Sequence, residues 1–231
     1  MTAYTADREE MLRTIETECR YTQGMTGVER ISARVMAAMA RVARDQFVPP
    51  GMKSYAYDNT PLPIGNGQTI SQPFIVALMT DLLAPEAGDV ILEIGAGSGY
   101  QAAILAELVK QVHTIEIIPA LASEARDRLQ HLGYANVTVQ EGDGYQGLPE
   151  YAPYDGIIVT AAAPHLPLPL LQQLRPGARL VIPLGRPHSP QELMVLTKDR
   201  QGRISERSVL AVSFVPLTGE AQRLKSSDFT E

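Results

Sequence analysis

The chain is expected to fold as an α/β protein: a parallel sheet covered by helices on both faces, with a helical extension in front. Two observations carry that expectation. From residue 89 to about 183, short β-rich runs alternate with helical stretches, the pattern of strands joined by helical crossovers. The 231 residues are 45% hydrophobic and 20% charged, enough apolar side chains for a sizeable core and too many for wholesale disorder.

Residues 1 to about 50 read as helical. In VERISARVMAAMARVARDQFV, Ile31, Val35, Met39 and Val42 form one apolar stripe at helical spacing. Arg30, Arg34, Arg41 and Arg44 fall between them and read as a solvated face. Thr26, with Glu29 three residues on, has capping-box spacing and predicts the helix start, and Pro49-Pro50-Gly51 predicts its end. Residues 51–88 open with the turn-forming stretch YDNTPLPIGNGQTISQP and resume helical patterning in FIVALMTDLL, which Ser71 is placed to cap. The strands expected next are DVILEIG, QVHTIEI, NVTVQ, DGIIVTAA and ARLVIPLG. The helices between them are SGYQAAILAELV, PALASEARDRLQHLG and PLPLLQQLRPG. ELMVLTKDRQGRISERSVLAVSFVPL reads as two or three more strands with a turn at 199–202. One domain over 1–231 is expected: a helical extension (1–50), a loop and helix (51–88) and a sheet core ending in antiparallel strands (89–231).

Several classes drop out. Gly (18) and Pro (17) suggest many turns but no collagen-like or linker chain. A net charge of −6 makes nucleic acid or an anionic membrane an unsuitable partner. One cysteine, Cys19, excludes an internal disulfide framework and a cysteine metal cage, and is expected to be a helix residue without a role. The histidines His113, His131, His165 and His188 are scattered, so no metal is expected. No apolar run is long enough to span a membrane, and MTAYTADREEMLR has acids where a signal peptide needs an apolar stretch. A cytoplasmic monomer is the expectation.

The most informative stretch runs from Val90 through Glu93, Gly95, Gly97 and Gly99 to Tyr100: a strand, a glycine loop, then a helix. Glycines allow the tight turn and let a ligand approach the backbone, and the helix N-terminus behind offers free N–H groups. A dinucleotide loop has the pattern G-x-G-x-x-G, whereas the third glycine position here is Tyr100. Glu93, two residues before the loop, suits a ligand with a cationic end and would repel a pyrophosphate. Both points favour S-adenosylmethionine over a dinucleotide. Glu116, nineteen residues past Gly97 at the end of the second strand, is placed to accept ribose hydroxyls under either reading. Asp143, before Gly144 and after the third strand, is placed to reach an adenine edge.

Four blocks in order, LPIGNGQTISQP, LEIGAGSGYQAAILA, GDGYQG and YDGIIVTAAAP, then Phe214-Val-Pro-Leu217, resemble the protein-L-isoaspartate O-methyltransferase family over about residues 28–220. The glycine loop is common to class I methyltransferases; LPIGNGQTISQP is the specific element. Phe74 stands where a Tyr is common in the family, and residues 1–25 are not explained by the resemblance. The resemblance implies a Rossmann-like class I methyltransferase fold with a mostly parallel seven-stranded sheet. It also implies S-adenosylmethionine as cofactor and methyl esterification of the abnormal α-carboxylate of L-isoaspartyl residues in damaged proteins and peptides, initiating repair. On the matching positions it makes Ser71 the catalytic residue, orienting the substrate carboxylate. Gln68, Thr69, Ile70, Ser71, Glu93, Gly95, Gly97, Gly99, Glu116, Asp143 and Gly144 become the cofactor site, with residues 51–88 covering it. Thr160-Ala-Ala-Ala163 would leave room for a substrate backbone. A methyltransferase of the same fold with another substrate, an NAD-dependent oxidoreductase and a non-catalytic cofactor-binding module are the alternatives.

Overall fold

Helix α1 spans Thr5–Thr26 and ends on Gly27, whose φ of +67° suits glycine. The computed structural model describes residues 4–186 and 189–223. Met11, Ile15 and Cys19, four residues apart, form the buried face of α1. Thr26 therefore closes this helix and does not open the next. Its hydroxyl donates to the Thr22 carbonyl at 3.1 Å and accepts from the Val28 amide.

Helix α2 is short, Ala33–Arg41, and Ser32 is its N-cap, accepting from the Val35 amide. Ile31, Val35, Met39 and Val42 are all buried, as the apolar stripe predicts. The helix stops eight residues before Pro49 because Val42 is extended (φ −74°, ψ 116°). Downstream residues lose the helical phase, and Arg44 is carried inward. Arg44 is fully buried, a correction to its reading as part of a solvated face. Its Nε donates to the Ala56 carbonyl at 2.7 Å, its Nη2 donates to the Thr60 carbonyl at 3.4 Å, and its guanidinium lies 5.0 Å from the Tyr100 ring centre. Beside it, Tyr57 donates to Asp45 at 2.5 Å and accepts from Arg8 at 3.1 Å. Segment 56–60 is thus tied down from the N-terminal part of the chain.

The turn-rich stretch contains a β-hairpin that composition alone hides. Strands β1 (Leu62–Gly65) and β2 (Gln68–Ile70) pair antiparallel across Asn66-Gly67, which take φ of +53° and +71°. Asn-Gly between two short strands is a strong hairpin signal, overlooked above because of the surrounding prolines and glycines. Helix α3 (Pro73–Leu83) follows, with Pro73 in its first turn. Its cap is not Ser71: the Phe74 amide donates to Asn59 Oδ1 at 3.0 Å.

The remaining elements follow the predicted alternation: β3 (Val90–Ile94), α4 (Tyr100–Ala106), β4 (Gln111–Glu116), α5 (Pro119–His131), β5 (Val137–Glu141), β6 (Tyr154–Val159), α6 (Leu168–Gln173) and β7 (Leu174–Leu184). Two strands, β8 (Gln191–Lys198) and β9 (Ile204–Val212), complete the sheet, joined by a turn in which the Gly202 amide donates to the Asp199 carbonyl. The seven strands lie in the order β5-β4-β3-β6-β7-β8-β9, and only β8 runs against the rest. Side chains alternate between two apolar layers: Ile91, Ile158 and Val181 enter one, Leu92, Ile157 and Leu180 the other. Both layers are dry, which is why these strands read as nearly continuous apolar runs. Helix α1 packs on α2, α3 and the edge strand β9. His113 lies inside β4, stacked 4.1 Å from Tyr151, and His131 ends α5. His188 lies outside the described residues. Among the described residues no helix is long and apolar enough to cross a membrane.

Candidate active site

The chain runs outward from β3 through β4 to β5, then returns to place β6 on the other side of β3. At such a reversal the loops leaving neighbouring strands diverge and open a crevice at the C-terminal edge of the sheet. A cavity lies there. Its floor is the glycine loop, and Gln68–Ser71 of the hairpin, Glu116, Gly144, Thr160 and the segment Val215–Thr218 form its sides.

Gly95, Gly97 and Gly99 all take positive φ (+96°, +52° and +87°). Gly95 has a second reason to be glycine. Thr160 Oγ1 donates to the Gly95 carbonyl at 2.6 Å, and a Cβ on Gly95 would sit 2.7 Å from that oxygen. Thr160 thereby locks the loop to the end of β6, a role its small-residue neighbourhood did not reveal.

Glu93 lines the cavity yet is fully buried, and although the Thr114 hydroxyl lies close enough to favour its ionised form, neither carboxylate oxygen has a partner in hydrogen-bond geometry among the described residues. Burial, with the nearby Glu116 adding, pushes its carboxyl up to about 8. A buried acid without a donor is costly unless something else satisfies it, so it is a strong pointer to a ligand. Glu116 is arranged differently. Its Oε2 accepts from the Gly97 amide at 2.8 Å and its Oε1 from the Ile118 amide at 3.0 Å. One carboxylate thus braces the glycine loop and still faces the cavity. Asp143 does not line the cavity: its oxygens accept from the amides of Tyr145 and Glu220. Its neighbour Gly144 does line it, and a Cβ there would collide with the Ile94 side chain.

Ser71 also lines a second, larger cavity of about 540 Å³, together with Thr69, Thr160 and Val215, so these four residues form a wall common to both. Its hydroxyl has no hydrogen-bond partner among the described residues. The Val215–Thr218 wall was foreshadowed only by the Phe214–Leu217 match. The segment is pinned by hydrogen bonds in both directions with Ala162, at 2.8 Å each. Among the described residues no group of three or more His, Cys, Asp or Glu is placed to hold a metal.

A family model described as protein-L-isoaspartate(D-aspartate) O-methyltransferase matches residues 23–222. The chain belongs to this family. A relative from Nitrosococcus oceani, protein-L-isoaspartate O-methyltransferase 2, is 60% identical over 211 residues, covering 91% of this chain and 96% of its own. A protein of the same name from Syntrophobacter fumaroxidans is 57% identical over 94% of this chain and 87% of its own. A solved protein-L-isoaspartate O-methyltransferase superposes with a TM-score of 0.80 at 26% identity, covering 93% of this chain and 67% of that one. The fold, the activity and the cofactor anticipated from the sequence are those of the family: transfer of a methyl group from S-adenosylmethionine to an oxygen of protein-bound L-isoaspartate.

Proposed function

We propose that Ser71 orients the free carboxylate of an L-isoaspartyl residue at the wall between the two cavities, and that the glycine-loop cavity holds S-adenosylmethionine. The observation that carries this reading is the unpartnered Ser71 hydroxyl on the boundary of both spaces. The cofactor fits the smaller one. Glu93 offers two orphaned buried oxygens to a cationic amino-acid end, and Glu116 and Gly97 suit the ribose, while Gly99 does not line the cavity and packs its turn against Leu129 and Ala125 of α5. Gly144 suits the adenine, with Asp143 fixing its turn. Gln68, Thr69 and Ile70 close the cavity from the hairpin side.

When bound, S-adenosylmethionine supplies an activated methyl group on a sulfonium sulfur. A substrate carboxylate, with an ordinary pKa near about 4, is already ionised at neutral pH and needs no general base. The chain's task is placement. Ser71 donates one hydrogen bond, which orients the carboxylate without neutralising it, and the walls around Thr160 and Val215 exclude water. Fixing two reactants in line is worth up to about 7–11 kcal/mol. Stronger donors would hold the free carboxylate too well and slow attack. The substrates are isoaspartyl-containing proteins and peptides, not nucleic acids or membranes, and the working form is a cytoplasmic monomer. The test offers an isoaspartyl peptide and its aspartyl twin with labelled S-adenosylmethionine. Label is expected on the isoaspartyl peptide alone; equal labelling, or none, overturns the reading.

Glu93 makes cofactor binding pH-dependent. Its folded-state pKa, about 8, lies above the ordinary 4.5, so the cofactor-free protein keeps a proton that the unfolded chain loses. The associated stability is present in full below 4.5 and is lost as pH rises toward 8. A cation in the cavity favours the ionised carboxylate, so affinity should rise with pH by up to about 10-fold per unit until the ligand's own ammonium begins to lose its proton near about 8. Calorimetric titration from pH 6 to 9 is expected to show this slope in the wild type and lose it in Glu93→Gln, which binds more weakly throughout. Parallel slopes in the two proteins would remove Glu93 from the site.

A further inference from the structure

The larger cavity extends the site beyond the cofactor pocket, and two of its lining residues stand outside the family match. Its lining includes Phe74 and Ile75 of α3 and residues 210–215 at the end of β9, a largely apolar surface. Across from these stand Glu18 and Thr22 of α1, one helical turn apart. Both precede residue 23, where the family match begins. Among the described residues Glu18 is half-buried, is the only ionisable one lining this cavity, and makes no ion pair or side-chain hydrogen bond. The cavity meets the cofactor cavity at Thr69, Ser71, Thr160 and Val215. Whatever chain presents its carboxylate to Ser71 must therefore lay neighbouring residues along this groove, within reach of a lone acid set in apolar walls.

We infer that α1 is a substrate-recognition element, and that Glu18 selects isoaspartyl segments carrying a cationic side chain next to the damaged residue. The inference rests on the acceptor reading under Proposed function. An apolar groove with a single negative charge accepts a Lys or Arg whose stem packs on Phe74 or Ile75 and whose head reaches Glu18. An acidic neighbour would be repelled and would lose its hydration. Because the contact is remote from the reacting atoms, it acts equally on bound substrate and transition state and should appear in KM, not kcat.

The experiment uses the full chain and a set of isoaspartyl peptides of one length, with Lys, Ala or Glu placed in turn at the two positions on each side of the isoaspartyl residue. For the wild type, KM at one or more positions is expected to run Lys below Ala below Glu, about five-fold per step, with kcat constant. Glu18→Gln should flatten the series, and Glu18→Lys should invert it, with unchanged affinity for S-adenosylhomocysteine. A series whose ratios are the same in wild type, Glu18→Gln and Glu18→Lys overturns the inference. Failure of the wild type to methylate any isoaspartyl peptide instead overturns the acceptor reading beneath it. Glu18→Gln, nearly isosteric, keeps the test decisive if the charge-reversed protein folds poorly.

Discussion

Replacing Ser71 by alanine is expected to slow turnover about 100-fold, the scale on which a misplaced reacting group is felt, while S-adenosylhomocysteine binds within about two-fold of normal. The melting temperature should not move. That last expectation separates catalysis from helix capping, because α3 draws its cap from Asn59 and has nothing to lose at position 71. The matching control is Asn59→Ala, which strips the Phe74 amide of its acceptor and should lower stability by about 1 kcal/mol. Turnover unchanged by Ser71→Ala would take the residue out of the mechanism. A fall in melting temperature that tracks the fall in activity would assign it to structure.

Arg44→Ala carries the largest expected effect on stability. The guanidinium is held by two carbonyls, which accept from Nε and Nη2, and by the Tyr100 ring 5.0 Å away, while Nη1 has no partner among the described residues. Truncation leaves the Ala56 carbonyl without its donor in a buried position, weakens the hold on Thr60 and opens a void. Loss of the buried hydrogen bond and the void together should cost about 2–4 kcal/mol. For a domain of this size that is a fall of about 5–15 °C in melting temperature. Arg41, three residues earlier, is the internal comparison. It forms an exposed ion pair with Glu107 at 2.6 Å, and such pairs contribute less than about 1 kcal/mol. Thermal unfolding of the two alanine variants side by side checks this, and equal melting temperatures would overturn it. Segment 56–60 also leads into the hairpin that ends at Ser71, so Arg44→Ala should lower kcat beyond its effect on the fraction folded.

The contrast between these arginines shows where the sequence was legible. Strands β3, β4 and β6 were plain because each is a short, mostly apolar run flanked by turn formers and buried on both faces; β5 is half-exposed, and β7 begins at Leu174, inside the stretch expected to be helical. Glu93 was readable for a related reason: an acid inside such a run is out of place, and the structure leaves it buried and unpartnered. Arg44 was not readable, because its burial follows from one extended residue, Val42, which shifts the phase of everything after it. The boundary at Thr26 was read with the wrong sense, because Thr26-x-x-Glu29 has the spacing of a helix start although Thr26 binds backward to Thr22 and α2 begins only at Ala33. The Glu116 bond to Gly97 was hidden as well. Spacing placed the acid beside the ligand, but only the fold brings it within 2.8 Å of the loop amide. Asp143, the acid expected at the adenine edge, is turned toward backbone amides of the 145 and 220 segments by the same kind of long-range contact.

Strand β9 ends the sheet, and the open side of an end strand is a row of unsatisfied amides and carbonyls able to recruit any passing extended polypeptide. Helix α1 lies against that strand, and Arg207 of β9 donates to the Thr26 carbonyl at the last turn of the helix, at 2.8 Å. An enzyme whose clients are aged, partly loosened chains meets such polypeptides constantly. The Arg207 tie fastens the last turn of α1 to the middle of the end strand, while residues 205–208 stay exposed along it.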